Sequence, residues 1–321
     1  MTARRQLWLL PLTAILLDAA EGRFELNGQI EEIRMPVHVQ LYGVESPFSA
    51  LTTSNSHGQF HFRALPAGTY VVSAFVRRHG EARRTVVVTP SLADAKGVIH
   101  VAIPLPPVVS SVDRAKRRSM VSVGQLSIPD SARQKYAEAQ KFLSKRDSEH
   151  AAVRLKEAVE IAPKYAEAWN GLGVIEYQLR EYAQAEEYFR KALEADPGNW
   201  TPAVNLGGAL LNLNRPADAL PYNQFAVKAR PNDALANSQL GLNYFHLGQM
   251  DKAEQYLSAA ERLDPSHFSH PQLVLAQIYA QRGARMSTIR ELRDFVNRFP
   301  DSPTALELRK KLDQVEKPAS Q

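Results

Sequence analysis

Residues 166–199 read AEAWNGLGVIEYQLREYAQAEEYFRKALEADPGN, and the way this stretch stops and restarts decides how the C-terminal part of the chain folds. Trp169, Leu172, Ile175 and Leu179 recur at the spacing of one helical face. The pattern breaks at Arg180-Glu181-Tyr182, after which Ala185, Tyr188, Phe189, Ala192 and Leu193 form a second apolar stripe. Pro197 cannot continue that second helix, because it has no N–H and its ring collides with the preceding turn, and Gly198 lets the chain reverse. The stretch therefore predicts two antiparallel helices and a stop.

The stop is periodic. Pro163, Pro197, Pro231, Pro265 and Pro300 are separated by 34, 34, 34 and 35 residues. Small residues keep the same beat: Ala139, Gly173, Gly207, Gly241 and Ala276 in one column, Ala151, Ala185, Ala219 and Ala253 in a second, Ala158, Ala192, Ala226 and Ala260 in a third. Packed helices approach closest where side chains are small, so a fixed interval of small residues predicts stacked helix pairs, a solenoid. The columns resemble the tetratricopeptide repeat over residues 132–302, as five units, with 303–317 as a polar capping helix. The joints at the prolines are expected only to stack one unit on the next. Departures from the pattern include Asn223 where neighbouring units have Phe189 and Leu257, and Pro221 early in a second helix.

In such a solenoid the first helices line the concave face, which the resemblance implies rather than the spacing. Registered on this chain, that face carries Asn170, Val174, Tyr177 and Gln178, then Val204, Gly208, Leu211 and Asn212, then Ser238, Leu242, Phe245 and His246. Asn170, Tyr177, Gln178, Asn212, Leu242, Phe245 and His246 are the candidate partner-binding residues: neutral amides bond an extended peptide backbone and the rings anchor side chains. The positions carry no lysine or arginine, which disfavours clamping of a terminal carboxylate.

Ahead of the helices the period changes to two. In GQFHFRALPAGTYVVSAF (58–75), Phe60 and Phe62 alternate with His61, Leu65-Pro66-Ala67-Gly68 is turn chemistry, and Tyr70, Val72 and Ala74 share the next face. TVVVTP (85–90) and VIHVAIPLPP (98–107) continue with β-branched residues. An antiparallel β-sandwich follows. Its GQFHFRALPAGTYVV stretch resembles the carboxypeptidase-regulatory-like domains, which are non-catalytic β-sandwiches of prealbumin and Cna-B type. Tyr42 and Phe48 are the loop-proximal aromatics that a sugar would use, with core or edge packing the competing role.

The expected organisation is β plus α in several domains: a signal peptide at 1–22, the sandwich at 23–107, a Pro-rich and then basic linker at 108–128, and an α-α superhelical solenoid at 129–321. Arg4 and Arg5, the apolar run from Leu7 to Leu17 and Ala20-Glu21-Gly22 have the order of an export signal. Periplasmic or extracellular placement is expected, with no stable membrane span after cleavage. An uncleaved anchor is the alternative.

The formal charge of +5 lies N-terminally: residues 23–118 hold 12 Lys/Arg against 7 Asp/Glu, and the remainder balances. The basic stretches VRRHGEARR (76–84) and RAKRR (114–118) read as a solvated hairpin and linker, or as a contact for an anionic surface. No aromatic residues interleave them in the manner of a nucleic-acid site. Cysteine is absent, which removes disulfides, thiolate nucleophiles and Cys-based metal sites. No zinc-peptidase, nucleophile-elbow or phosphate-loop motif occurs. His267 and His270 have ligand-like spacing at a joint, where they are expected to be exposed loop side chains. No cofactor, metal or catalytic residue is expected. The reading is a non-catalytic exported scaffold for a protein or peptide partner, with carbohydrate or envelope-polymer binding by the sandwich as the alternative.

Overall fold

The computed structural model describes residues 24–77, 79–106 and 128–316. The leader, RAKRR and the 120–126 stretch lie outside the described residues. Seven strands come first: β1 (Phe24–Ile30), β2 (His38–Gly43), β3 (Ser49–Thr53), β4 (Gln59–Leu65), β5 (Gly68–Val76), β6 (Gly80–Val88) and β7 (Val98–Ile103). They form two sheets, β4-β1-β7 and β3-β2-β5-β6. Pairing is antiparallel except between β1 and β7, which run parallel because the chain crosses from one sheet to the other after β6. The period-two residues meet between the sheets. Phe60, Phe62, Leu65, Tyr70, Val72 and Ala74 are all buried there with Leu26, Ile30, Val39 and Leu41. The Tyr70 hydroxyl donates to the Pro66 carbonyl at 3.0 Å and ties down the turn between β4 and β5.

Eleven α-helices follow among the described residues: α1 (Asp130–Ser144), α2 (Ser148–Ile161), α3 (Ala166–Gln178), α4 (Tyr182–Ala195), α5 (Trp200–Asn212), α6 (Pro216–Ala229), α7 (Ala234–His246), α8 (Met250–Leu263), α9 (Pro271–Gln281), α10 (Arg285–Arg298) and α11 (Pro303–Glu316). They make five antiparallel pairs capped by α11. Each second helix ends two residues before its proline, with a single residue between them. Those five residues, Ala162, Asp196, Arg230, Asp264 and Phe299, have φ between −126° and −144°. Proline excludes the helical conformation from the residue before it, which is why the stops are alike. Within each pair the turn is made by one residue in the left-handed region: Arg146, Arg180, Asn214, Gly248 and Gly283, with φ of 63°, 66°, 57°, 73° and 70°. This column is as periodic as the prolines, yet its residue type changes.

The small column does what close packing requires. A Cβ on Gly173 would fall 2.5 Å from the Phe189 ring, and one on Gly241 would fall 2.7 Å from Leu257 Cγ. In the third pair the large side chain over Gly207 is replaced by Asn223. It is fully buried and donates to Asn243 Oδ1 at 3.1 Å, while Asn243 donates to the Pro216 carbonyl at 2.7 Å.

Candidate functional site

The sandwich packs onto the inner face of the helix stack, and strand β6 explains how. As an edge strand its outer N–H groups need cover. Its backbone at Thr85 donates to Asp264 Oδ2 at 2.9 Å. The neighbouring Arg84 lies 3.8 Å from the other oxygen of Asp264. Two residues nearer its start, Arg83 stacks 5.1 Å above Trp200, bonds Glu81 at 2.8 Å and lies 3.7 Å from Asp233. Val87 joins Phe295, Val296 and Phe299 in one apolar cluster. Ser91 then donates its backbone N–H to Asp301 at 3.0 Å and its hydroxyl to the same carboxylate. Asp233, Asp264 and Asp301 all belong to inter-pair joints. The joints therefore do more than stack units: three in succession hold one strand and the turn that follows it. The expectation of a solvated hairpin fails at Arg83 and Arg84, whose charges are turned onto these aspartates.

The opposite rim is held by the β2–β3 turn. Gln178, at the end of α3, donates to the carbonyls of Gly43 at 3.0 Å and Val44 at 3.3 Å. Arg146 donates to the Tyr70 hydroxyl at 2.9 Å and lies 4.6 Å above the Phe48 ring. Phe48 is therefore a buried core ring, whereas Tyr42 points outward from β2 and is 37% exposed.

Between the two rims a cleft of about 3510 Å³ stays open. Its floor is α3, α5, α7 and α9. Its roof is the outer face of the β3-β2-β5-β6 sheet, including Gln40, Tyr42, Val71 and Arg83. All seven candidate residues line it. Asn170 accepts from Asn205 at 3.0 Å, and the Tyr177 hydroxyl accepts from Asn212 at 3.0 Å. Burial raises the Tyr177 phenol to about 12. Gln178 is committed to the rim through its NH2 while its Oε1 has no partner. Leu242 and Phe245 pack against the cluster of Leu240, Tyr244 and Leu257 and show one side to the cleft, and His246 stands exposed beside them. Val204 and Ser238, by contrast, are buried between helices.

The comparisons with known proteins fall on the floor-forming half. A profile described as "Tetratricopeptide repeat" matches residues 166–199 and a second of the same description matches 204–268. The type IV pilus assembly protein PilF of Pseudomonas aeruginosa is 29% identical over 127 residues, 38% of this chain and 50% of that protein. The human cell division cycle protein 16 homolog is 31% identical over 113 residues, 32% of this chain and 18% of that protein. The matches thus span half or less of these relatives' own length. Among solved structures PilW, a type IV pilus biogenesis factor, superposes with a TM-score of 0.52 at 24% identity, over 58% of this chain and 86% of its own. The helices are tetratricopeptide repeats. The strands ahead of the tetratricopeptide solenoid form a β domain of two sheets, and the solenoid's inner surface is the floor on which that domain sits.

Two sequence expectations are corrected at the joint before α9. His267 is 3% exposed and His270 is partly buried, with neither free in solvent. The stretch from Asp264 to His270 folds inward beneath β6: His270 lies 4.4 Å from Phe299, and His267 Nδ1 pairs with the Ser269 hydroxyl at 2.7 Å. Burial pushes the His267 imidazole down to about 3, with His270 and Arg83 adding to it, and burial pushes His270 to about 4. Both are neutral side chains inside an interface. Among the described residues no group of three or more His, Asp or Glu is arranged to hold a metal, and no helix is long and apolar enough to cross a membrane.

Sequence reasoning missed the roof, together with Asn205 and Gln239, which line the floor in the column of Gly171, one position beyond that of Asn170. Their spacing from Gly171, 34 and then 34 residues, was the available signal.

Proposed function

We propose that the chain is an exported, non-catalytic scaffold that binds a protein or peptide partner in the cleft of the tetratricopeptide solenoid. On this reading it is divided into a signal at 1–22, a sandwich at 23–107 and a solenoid at 129–321. Asn170, Tyr177, Gln178, Asn212, Leu242, Phe245 and His246 are the contact residues. One observation carries the reading: the docked sandwich holds the two rims and leaves the floor unfilled, with amides and rings facing a volume of about 3510 Å³. Small-molecule pockets occupy roughly 300–1,000 Å³, so the space suits a polypeptide. A preformed surface also lowers the ordering cost of binding. Placement in the periplasm or outside the cell rests on the leader. The Pseudomonas relative, named for pilus assembly, is consistent with a scaffold in the envelope.

The test is crosslinking mass spectrometry in the native envelope to find the partner, followed by its affinity for Tyr177→Ala with Phe245→Ala. Capture should be lost while helical content stays constant. Undiminished capture by the double variant would remove the cleft from the function.

Carbohydrate binding by the sandwich is the second reading. It is favoured by a hollow of about 900 Å³ lined by the far sheet and the end of β3, where Asn27 pairs in register with His61 on one side and His100 on the other. Retention of the full chain on envelope polysaccharide, abolished by Asn27→Ala with His61→Ala, would support it.

A further inference from the structure

The third helix pair is built unlike the pairs on either side of it. We infer that it is the hinge of the solenoid, and that the contacts of Gln178 and Arg146 with the sandwich are the latch that keeps the cleft closed. The inference goes beyond the cleft reading and does not depend on what fills the cleft.

Packing marks the hinge. The column that puts Phe189 over Gly173 and Leu257 over Gly241 puts Asn223 over Gly207. The apolar column of Ile175, Ala209 and Ile278 is broken in the same way by Asn243. These two asparagines meet where α6 packs on α7, with Asn223 Nδ2 3.1 Å from Asn243 Oδ1, and Gln224 donates to the Tyr244 hydroxyl at 3.2 Å beside them. Asn223 is fully buried, and its Oδ1 has no partner. A polar seam with an unpaired acceptor thus stands where an apolar one would, which weakens this junction. Pro221 adds to the effect inside α6, since it has no N–H to give to the Ala217 carbonyl. The far end of α6 is firm. Ala226 packs there with Trp200, Val204 and Ala236, and Arg83 stacks on Trp200 while pairing with Asp233. A helix loose at its start and fixed at its end concentrates motion in a few residues, as hinges do.

The sandwich bridges this hinge unequally. On the C-terminal side, β6 and the turn after it are held by Asp233, Asp264 and Asp301, and by the cluster of Val87 with Phe295, Val296 and Phe299. On the N-terminal side, Gln178 and Arg146 reach neutral acceptors, the carbonyls of Gly43 and Val44 and the Tyr70 hydroxyl, with Arg146 stacked on Phe48. Gln178 also keeps a buried Oε1 without a partner. Bonds to carboxylates backed by apolar burial outlast bonds to neutral acceptors. Opening therefore parts the first two helix pairs from the β2–β3 turn, while the last two stay with β6. The entrance between Tyr177 and the roof widens.

The test uses the full chain. Amide exchange read by mass spectrometry should be about tenfold faster in α6 than in α4 and α8, the corresponding helices of the neighbouring pairs. Asn223→Leu with Asn243→Ile, which restores both columns, should bring α6 level with them. Pro221→Ala should slow it in part, and reads the same helix should the double change disturb folding. The chain has no cysteine, so spin labels go in at the exposed positions Lys96→Cys, Glu149→Cys and Met286→Cys, taken in pairs. The latch variant is Gln178→Ala with Arg146→Asn, because asparagine suits the left-handed turn there, as Asn214 does in the third pair. In it the distances from 149 to 286 and from 149 to 96 should lengthen and broaden, and the distance from 96 to 286 should stay as it is. Adding Asn223→Leu/Asn243→Ile should narrow them again. Exchange in α6 no faster than in α4 and α8, or unslowed by either change, would overturn the hinge. Distances unmoved in the latch variant would overturn the latch, and so would a shift between 96 and 286, which would mean that the sandwich leaves the repeats as a whole. Each of these results leaves the cleft function standing, since no ligand enters the measurement.

Discussion

The carboxylate of Asp264 accepts the backbone N–H of Thr85 at 2.9 Å, joining positions 179 residues apart. One atom pair thus connects the fourth helix pair to the edge of the sandwich, and it satisfies a buried donor that no strand neighbour reaches.

Replacing Asp264 by alanine leaves that N–H unpaired and costs about 1–3 kcal/mol of docking. Asparagine keeps an oxygen in place and costs less. Amide hydrogen exchange at Thr85 is the measurement: protection should fall sharply in Asp264→Ala and moderately in Asp264→Asn. Equal protection in all three proteins would show that the bond contributes nothing.

Arg83 combines an ion pair with stacking on Trp200 at 5.1 Å. Lysine keeps the charge but not the flat guanidinium, so Arg83→Lys should still weaken docking, by about 1 kcal/mol. Indole emission should shift to the red as Trp200 gains water. A variant whose emission matches the parent protein would contradict the stacking role.

The buried imidazoles predict a pH dependence. His267 and His270 have folded-state values of about 3 and about 4 against 6.5 for the free side chain. Their folded state excludes the proton, so the stability they confer is present above 6.5 and is lost as pH falls below it. Asp264 runs the other way, since burial raises its carboxyl and acid relieves that cost. The histidine contribution should therefore decline between neutral pH and about pH 5, against the opposing effect of Glu261 described next, and is read as the difference in melting temperature between the parent protein and a histidine variant. His267→Asn, which keeps an acceptor toward Ser269, should flatten the fall. An equally steep profile in the variant would assign it elsewhere.

Glu261 predicts the opposite slope. Burial, with the carboxylates of Glu291 and Asp294 nearby, raises it to about 7. The folded state thus holds a proton that the unfolded state gives up, and stability declines as pH rises from about 4.5 to about 7. Glu261→Gln should raise the melting temperature at pH 8 and change little at pH 5. A rise of the same size at both values would point to packing instead.

Close approach at Gly173 makes a single methyl costly. Gly173→Ala pushes on the Phe189 ring and should destabilise by about 1–3 kcal/mol in denaturant unfolding. Adding Phe189→Leu should recover much of this, because Ala139 already sits in one cluster with Leu155 in the first pair. Failure of the second change to rescue would mean that the methyl acts on the helix crossing as a whole.

Most of the solenoid was legible because its determinants are local and repeated. A proline acts on the residue before it, and a small residue acts on the helix next in sequence, so each leaves a column at a fixed interval. The sandwich core was legible for a similar reason in Phe60, Phe62, Tyr70 and Val72, whose alternation is a property of one strand. The docking was not. Its partners, such as Ser91 and Asp301, are 210 positions apart, and a contact made once leaves no period. The run TVVV at 85–88 did carry a trace: it breaks alternation, as a strand covered on both faces does. The histidines were misread because a joint was assumed to lie at the surface, while this one is covered by the other domain. Tyr42 was read as a loop-proximal aromatic with core or edge packing as its competing role, while its place in a roof depends on a floor whose placement no strand pattern records.

The segment from Arg83 to Ser91, strand β6 and the turn that follows it, grips three successive joints at Asp233, Asp264 and Asp301. It therefore acts as a gauge of repeat number. Solenoids commonly gain or lose units by duplication, since each unit touches only its neighbours. Here an inserted or deleted pair between α6 and α11 would carry an aspartate out of reach of its partner on a strand that cannot stretch. The count of units, free to drift in an isolated stack, is fixed by the length of one β-strand and the turn that follows it.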